Sequence, residues 1–492
     1  MSARSSFSLV GLAVAFAAFA ACSDTNDPTA PVTPVGAAEI TTDIVTSRTL
    51  FAETTYTLKG FIHVANGATL TIKEGTVIKG DFATTGSSLF IMRGAKIAAV
   101  GTAAKPIVFT SSQPVGSRAP GDWGGLILIG NGITNRSCPV DVEGTGTTAG
   151  TTTGTNYVVS YCGGATNTDN SGELKYVRVE FAGFAPVLNQ ELNSFTFAAV
   201  GSGTKLSYLQ ALNGLDDAFE WFGGAVDADH IVAYEALDDG FDMSEGYVGR
   251  IQYAIYYKST VLTPRSGAGS PASDPEGIEN DGCNGTGCAT DTHNSAPLTI
   301  PVIANFTLIG TNDVASSGSA GGFGLMLRRG TGGYYVNGLV ARFPRGAFSV
   351  RDVATSVRGG SVTTPSLTTS DIAVRNVTLL ESPAIVFEAG QQPAYDMTGN
   401  AIVSSANTAA TTFTAFPATA PTLTTTESAF DWTPGATSVA ATGGLATFTG
   451  KLATATTTAS STGNTVAGTA YVGAAAPGGT KWWAGWTVYA QK

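Results

Sequence analysis

The sequence predicts an all-β fold in which one chain winds into a solenoid of parallel coils, and three observations carry that expectation. First, LDDAFEWFGGAVDADHIVAYEA (215–236) runs directly into LDDGFDMSEGYVGRIQYAIYYK (237–258), an offset of 22 residues. Phe219 then falls on Phe241, Glu220 on Asp242, Val226 on Val248 and Tyr234 on Tyr256. A tandem period of about 20–25 residues, rich in β-formers and glycine, marks stacked coils. Second, there are 61 glycines and only 13% charged residues. Third, long amphipathic helical patterns are absent. Short apolar or alternating runs bounded by Gly, Asn and Asp recur instead.

The remaining segments take their places along such a solenoid. ATLTIKEGTVIKG (68–80) and SSLFIMRGAKIAAVG (87–101) align at an offset of 19, with Ile72 on Ile91, Gly75 on Gly94 and Ile78 on Ile97. Residues 107–112 and 125–132 continue with buried-strand character, and 136–172 read as a Gly/Thr/Asn-rich insertion. Coils resume at 175–183 and 206–214 and run through the tandem repeat. A second loop spans 260–297. Residues 302–310, 323–330, 335–343, 347–352, 372–380 and 384–390 look like further rungs, giving a β-helix over 40–405. The Thr/Ala-rich segment 406–492 reads as terminal coils and a cap. Trp482, Trp483 and Trp486 there would cover the open last coil, which otherwise exposes strand edges.

Residues 1–21 have the pattern of an export signal: Arg4, an apolar run at 7–20, then small residues before Cys22. The run is too short to span a bilayer. Residues 22–39 read as a flexible tether. Ala20-Ala21-Cys22 resembles a bacterial lipobox, which implies lipidation at Cys22; ordinary secretory cleavage is the alternative. Ser23 after the cysteine resembles the sorting signal for the outer membrane, and SDTND (23–27) resembles a surface-export signal. With Cys22 acylated, four cysteines remain in an oxidising compartment. Of the three possible pairings, Cys138–Cys162 would staple the first insertion and Cys283–Cys288 would close a tight loop. A metal site at CNGTGC is the competing reading, with only His293 nearby.

Charge locates a site. The net charge is −11, yet ten acidic residues and no basic one lie between Asp216 and Gly249. A nucleic-acid partner needs a basic face and is excluded. In parallel coils, equivalent residues sit roughly 4.8 Å apart, so Asp216 and Asp217 should lie over Asp238 and Asp239. Asp216, Asp217, Glu220, Asp238, Asp239, Asp242 and Glu245 together supply the hard oxygens that Ca²⁺ prefers, six to eight at about 2.3–2.6 Å. The competing expectation is an acidic edge whose carboxylates bond backbone amides. Glu276, Glu279 and Asp281 lie in the following loop, and Arg328–Arg329 come one or two rungs later. A loop folding back would set these against the ladder, the arginines pairing carboxylates or a sugar acid. Structural ion pairing is the alternative. Trp221 and Arg250 are further candidates for ligand binding, as aromatic platform and basic group.

GAKIAAVGTAAKPIVFTSS, PGDWGGLILIGNG (120–132), the paired DDxF[ED] blocks, LMLRRGT (325–331) and AGWT (484–487) together resemble a largely uncharacterised group of bacterial β-helix lipoproteins. The resemblance implies a right-handed parallel β-helix of the pectate-lyase-like superfamily, with long loop insertions and a capped C-terminal end. It implies no established activity. The three histidines are isolated, and no G-x-S-x-G, H-E-x-x-H or P-loop pattern is present. LDDGFD (237–242) is similar to the Asp clusters of polygalacturonases, but their GHG and RIK elements are missing. The expected function is a lipid-anchored outer-membrane surface scaffold, stabilised by Ca²⁺, that binds a polysaccharide or a surface protein. The alternatives are a polysaccharide lyase or glycoside hydrolase using the groove around 216–245, and an accessory subunit of an outer-membrane uptake system.

Overall fold

The computed structural model describes Met1 and residues 35–489, apart from 147–156, 270, 272–273, 290–292, 319, 360–369, 384, 388–399, 418–421, 423–424 and 458–465. Residues 2–21 of the export segment, Cys22 and the tether up to residue 34 therefore lie outside the described residues.

Each turn of the chain gives one strand to a long sheet and a shorter one to a second sheet, and the coils stack in parallel. The long sheet climbs from Gly36–Ile40 through Lys205–Leu212, Asp227–Tyr234 and Arg250–Tyr257 to Ile402–Ser405. The second runs from Phe61–Val64 through Phe195–Ala198, Phe219–Phe222, Phe241–Ser244 and Ile278–Asp281 to Ile385–Phe387. Inward side chains fill one continuous core. Phe195, Phe219 and Phe241 stack with centroids 4.8 and 5.7 Å apart, and Phe197, Trp221 and Tyr247 stack beside them. The chain is a parallel β-helix, as its repeats predict.

A feature the repeats do not reveal shapes the long sheet. Tyr176, Tyr208, His230, Tyr253, Asn305, Asn337 and Asn376 occupy equivalent positions in successive strands, all with φ between 50° and 63°. A left-handed residue in mid-strand turns the chain, so the sheet folds into two facets and each coil has three. Asparagine tolerates that conformation. The bulkier residues there stack instead: Tyr176 on Tyr208 at 4.4 Å, Tyr208 on His230 at 4.5 Å, His230 on Tyr253 at 4.8 Å.

Two register expectations need correction. Val64 pairs with Ile91 and Ile72 with Ala99, so the coil there is 27 residues, not 19. The 19-residue match laid each strand on the preceding facet of the next coil, Thr69–Ile72 on Ser88–Ile91 and Val77–Gly80 on Lys96–Val100, because both pairs of runs are apolar and separated by a glycine turn. In the tandem repeat, Phe219 pairs with Phe241 and Glu220 with Asp242 as expected. Past the next corner, however, Ala228 pairs with Ile251 and Tyr234 with Tyr257 rather than Tyr256. One extra residue between Ser244 and Ile251 shifts the register.

The segment after Ser405 does not continue as coils capping the last turn. Among the described residues it adds no strand to either stacked sheet. It runs back along the outer face of the long sheet, where a hairpin (Phe413–Ala415 with Asp431–Pro434) and the final turns bury Trp432, Trp483, Trp486 and Tyr489 against Val232, Tyr234, Ile255, Tyr257, Ile309 and Leu339. The helix Gly450–Thr457 sets Leu452 against Val302, Ala304, Tyr334 and Val336. Those strands are apolar on both faces, as in sheets covered on both sides, so the flank needs a cover as much as the end does.

Trp432 is fully buried in this seam, and its Nε1 donates to the Tyr234 hydroxyl at 2.7 Å. Trp432→Ala is expected to cost about 3–5 kcal/mol in urea unfolding. A cost under about 1 kcal/mol would show that the tail does not fold with the helix.

Candidate metal centre

Alternation along three second-sheet strands builds the site. In Phe219–Phe222, Phe241–Ser244 and Ile278–Asp281, Phe219, Trp221, Phe241, Met243 and Ile278 point into the core. Glu220, Asp242 and Glu279 therefore point out, and they are in register across the three strands. Parallel pairing sets such neighbours about 4.8 Å apart. The turn before each strand adds further acids: Asp216 and Asp217, then Asp238 and Asp239, then Asp274 and Glu276.

Half of what these turn acids do is structural. Asp217 donates its N–H to Asn193 Oδ1 at 3.2 Å, and Asp217 Oδ1 accepts the N–H of Asp239 at 2.8 Å. Asp239 Oδ1 in turn accepts the N–H of Glu276, and Asp238 Oδ1 that of Asp274, each at 2.6 Å. One oxygen each of Asp217, Asp238 and Asp239 thus accepts a backbone N–H of the next coil. The expectation of carboxylates bonding turn amides is met on these three residues, and it engages only one oxygen of each.

Above this surface lies a cavity of about 500 Å³ lined by twelve carboxylates and three guanidiniums. All three arginines are engaged. Arg328 bonds Glu279 and, through Nε at 2.8 Å, Asp281; Arg329 bonds Asp281. Arg136 pairs with Glu245 at 2.7 Å, and the Tyr161 hydroxyl donates to the other Glu245 oxygen at 2.6 Å. Carboxylate oxygens of the cleft form three overlapping groups within 4.8 Å: Asp216, Asp217 and Asp238; Asp217, Glu220 and Asp242; Asp239, Asp242 and the Arg328-bonded Glu279. Asp217 and Asp242 each belong to two groups.

Burial and mutual repulsion disfavour the ionised forms. Burial, then Asp217, Glu191 and Asp238, holds the Asp216 carboxyl well above the usual carboxylate range. Burial, then Glu279 and Asp217, does the same for Asp242, and burial, then Glu143 and Asp242, for Glu220. Asp238 is pushed up by burial to about 6. Glu279 rises to about 8 through burial, opposed by Arg328. On the far side of the Asp238–Asp239 turn, Lys258 donates to the carbonyls of Ala236 and Leu237, and burial lowers it to about 8.

The structure gathers Asp216, Asp217, Glu220, Asp238, Asp239, Asp242 and Glu245 around one cavity, with Glu279, Asp281, Arg328 and Arg329. Glu279 and Asp281 arrive on a strand of the next rung, not on a loop folding back. Three candidates are misplaced. Trp221 is fully buried inside the coil, because its strand alternates and its neighbour Glu220 takes the outer position. Arg250 sits on the long sheet, where its guanidinium holds Asp227 through Nε at 3.1 Å and NH2 at 2.5 Å. Glu276 lies beneath the cavity floor, 1% exposed, with Oε1 unpartnered. Cys138–Cys162 and Cys283–Cys288 are both bonded as expected. Arg136, Glu143, Asn189, Gln190, Glu191, Asp274 and Asn284 also line the cavity and were not anticipated. Glu143 and Glu191 are single acids on insertions, with no repeat to flag them. Asp274 does occupy the turn position before a strand, which the repeat could have indicated.

A family model for a pectate-lyase like beta helix domain matches residues 41–437. No curated protein and no solved structure matches the chain.

The raised carboxyls fix a pH dependence. A group whose folded pKa lies above its unfolded value stabilises fully below the unfolded pKa, and that contribution is lost as pH rises through the folded value. With Asp238 near 6 and Glu279 near 8, the metal-free protein should lose stability between about pH 4 and pH 8. In chelator, its melting temperature at pH 8 is expected to lie more than about 5 °C below that at pH 5. An equal or higher value at pH 8 would contradict the electrostatic reading.

Proposed function

The chain belongs to the pectate-lyase-like β-helix family, and from that premise we propose that it is a non-catalytic scaffold whose acidic cleft binds Ca²⁺. The observation that carries the reading is a set of carboxylate oxygens left over after the coils are fastened. Asp216 is 7% exposed and lines the cavity, and its carboxylate makes no hydrogen bond or ion pair among the described residues. Asp242 Oδ1 is buried without a partner. Buried charges of one sign must be paired, protonated or bound to metal. Oxygen donors within 4.8 Å of one another suit a hard divalent cation.

A scaffold is favoured over a lyase by the state of the arginines. Arg328 and Arg329 are locked to Glu279 and Asp281; burial works against the charged form of Arg328, but Asp281 and Glu279 together outweigh it and raise the guanidinium, so it does not serve as a proton acceptor. The export segment and lipobox support a lipid anchor at Cys22 in the outer membrane, with the helix displayed outward on its tether. The ligand in this reading is a polysaccharide or surface protein that meets the cation-loaded cleft.

Titration calorimetry at pH 7.5 is expected to show saturable Ca²⁺ binding. Ca²⁺ at 100 times its dissociation constant should stabilise the fold by about 2.7 kcal/mol. Asp217→Asn, which removes charge from two oxygen groups at once, should weaken binding by roughly tenfold or more. Identical melting with Ca²⁺ and with chelator would end the proposal. Incubation with acidic polysaccharides and Ca²⁺ should release neither unsaturated nor reducing ends; release of either would establish the catalytic alternative.

A further inference from the structure

The oxygen group at Asp216, Asp217 and Asp238 is one wall of a site, and it is short of donors. Asp217 Oδ1 and Asp238 Oδ1 already accept backbone N–H groups. The trio therefore keeps four oxygens clear of backbone bonds, and Ca²⁺ takes six to eight. At least two donors must come from elsewhere.

Two segments outside the coils face this gap. The first is the insertion tied at its base by Cys138–Cys162, and it presents Glu143. The second is the hairpin Phe184–Val187 with Gln190–Leu192, and it presents Glu191. Glu191 is 2% exposed and its Oε1 accepts the N–H of Asn189 at 2.9 Å, which fixes the hairpin end. The two insertions are packed on each other. A methyl group on Gly144 would stand 2.4 Å from the Leu192 nitrogen, and Gly144 has φ +71°. Val142, Tyr157, Val159, Phe184 and Leu192 form an apolar seam with Ile127 and Ile129 of the second sheet. Burial raises Glu143 to about 8, with Glu191 and Glu245 adding to the rise. Glu191 and Glu143 both act on Asp216 as well. The seam thus pulls the insertions down while their carboxylates repel the surface they cover.

We infer that Glu143 and Glu191 complete the coordination of a cation seated at Asp216, Asp217 and Asp238, so that ion binding clamps both insertions onto the helix. The inference rests on the reading of the cleft as a divalent-cation site. It adds two ligands from outside the repeat and makes loop closure part of the binding event. A cation between the two sets of carboxylates turns the repulsion into attraction, and the close packing at Gly144 and the Cys138–Cys162 link hold Glu143 at the cavity wall.

Hydrogen exchange read by mass spectrometry, with and without Ca²⁺, tests this on the full chain. In the wild type, Ca²⁺ should slow exchange about tenfold or more in 138–146, 157–162 and 184–192, since a local opening costs about 1.4 kcal/mol more for each factor of ten. In Glu143→Gln/Glu191→Gln, Ca²⁺ affinity should fall roughly 10–100-fold, and the slowing in those segments should vanish at ion concentrations that saturate the wild type. Glu143→Gln alone should give an intermediate loss. Because these replacements keep shape and remove repulsion, all variants should retain one cooperative melt. Unchanged affinity in the double variant, or wild-type binding with no slowing in the insertions, overturns the clamp and leaves the cleft reading standing. Absence of any Ca²⁺ binding by the wild type overturns both.

Discussion

Parallel stacking is unforgiving towards repeated charge. Once Phe219–Phe222 and Phe241–Ser244 pair in register, Glu220 has no choice but to sit beside Asp242, and the turn acids follow suit. The next rung adds Glu279 to the same row. Phe219 and Trp221 cannot be moved outward, since they belong to the aromatic column that fills the helix. The core therefore dictates the charge row, and the charge row must be relieved by ion pairing, protonation or a bound cation.

The protein supplies part of that relief itself, and the distribution is uneven. Arg328 and Arg329 neutralise Glu279 and Asp281 at one end of the cleft, and Arg136 neutralises Glu245 at one side. Lys258 stands behind the Asp238–Asp239 turn, bonded to carbonyls rather than to the carboxylates themselves. Among the described residues, no Arg or Lys side chain bonds the carboxylates of Asp216, Asp217, Asp239 or Asp242. Fastening of successive turns through Asp217 Oδ1 and Asp239 Oδ1 explains why these residues are acids even where no ion is bound. The same residues thus join coil to coil and form the cleft, which links the occupancy of the cleft to the stability of the solenoid.

Much of this is legible in the sequence because the tandem repeat at 215–258 is itself the site. Its period of 22 residues gives the parallel stacking, and its Asp pairs give the acidic row. What the sequence hides follows from geometry that repeats do not encode. Trp221 looks like a binding platform until strand alternation turns it inward. Arg250 lies within the repeat, but on the other sheet, where it answers Asp227. Glu143 and Glu191 reach the cleft from insertions that share no pattern with the coils. The bend at Tyr176, Tyr208, His230 and Tyr253 joins residues of different chemistry at one backbone position, so no residue type announces it. The Thr/Ala-rich tail gives no periodic signal of the flank it covers; only the apolar character of both faces of strands such as Val302–Ile309 hints at it.

In the proposed reading, the stacked carboxylates hold protons until a cation replaces them. Calorimetric Ca²⁺ titration at pH 7 in buffers of differing ionisation enthalpy counts the protons exchanged on binding. Net release is expected, because Asp238 near 6 and Glu279 near 8 are partly protonated at that pH in the empty cleft, and burial raises Asp216 and Asp242 in the same direction. Binding with no proton release, or with uptake, would contradict it.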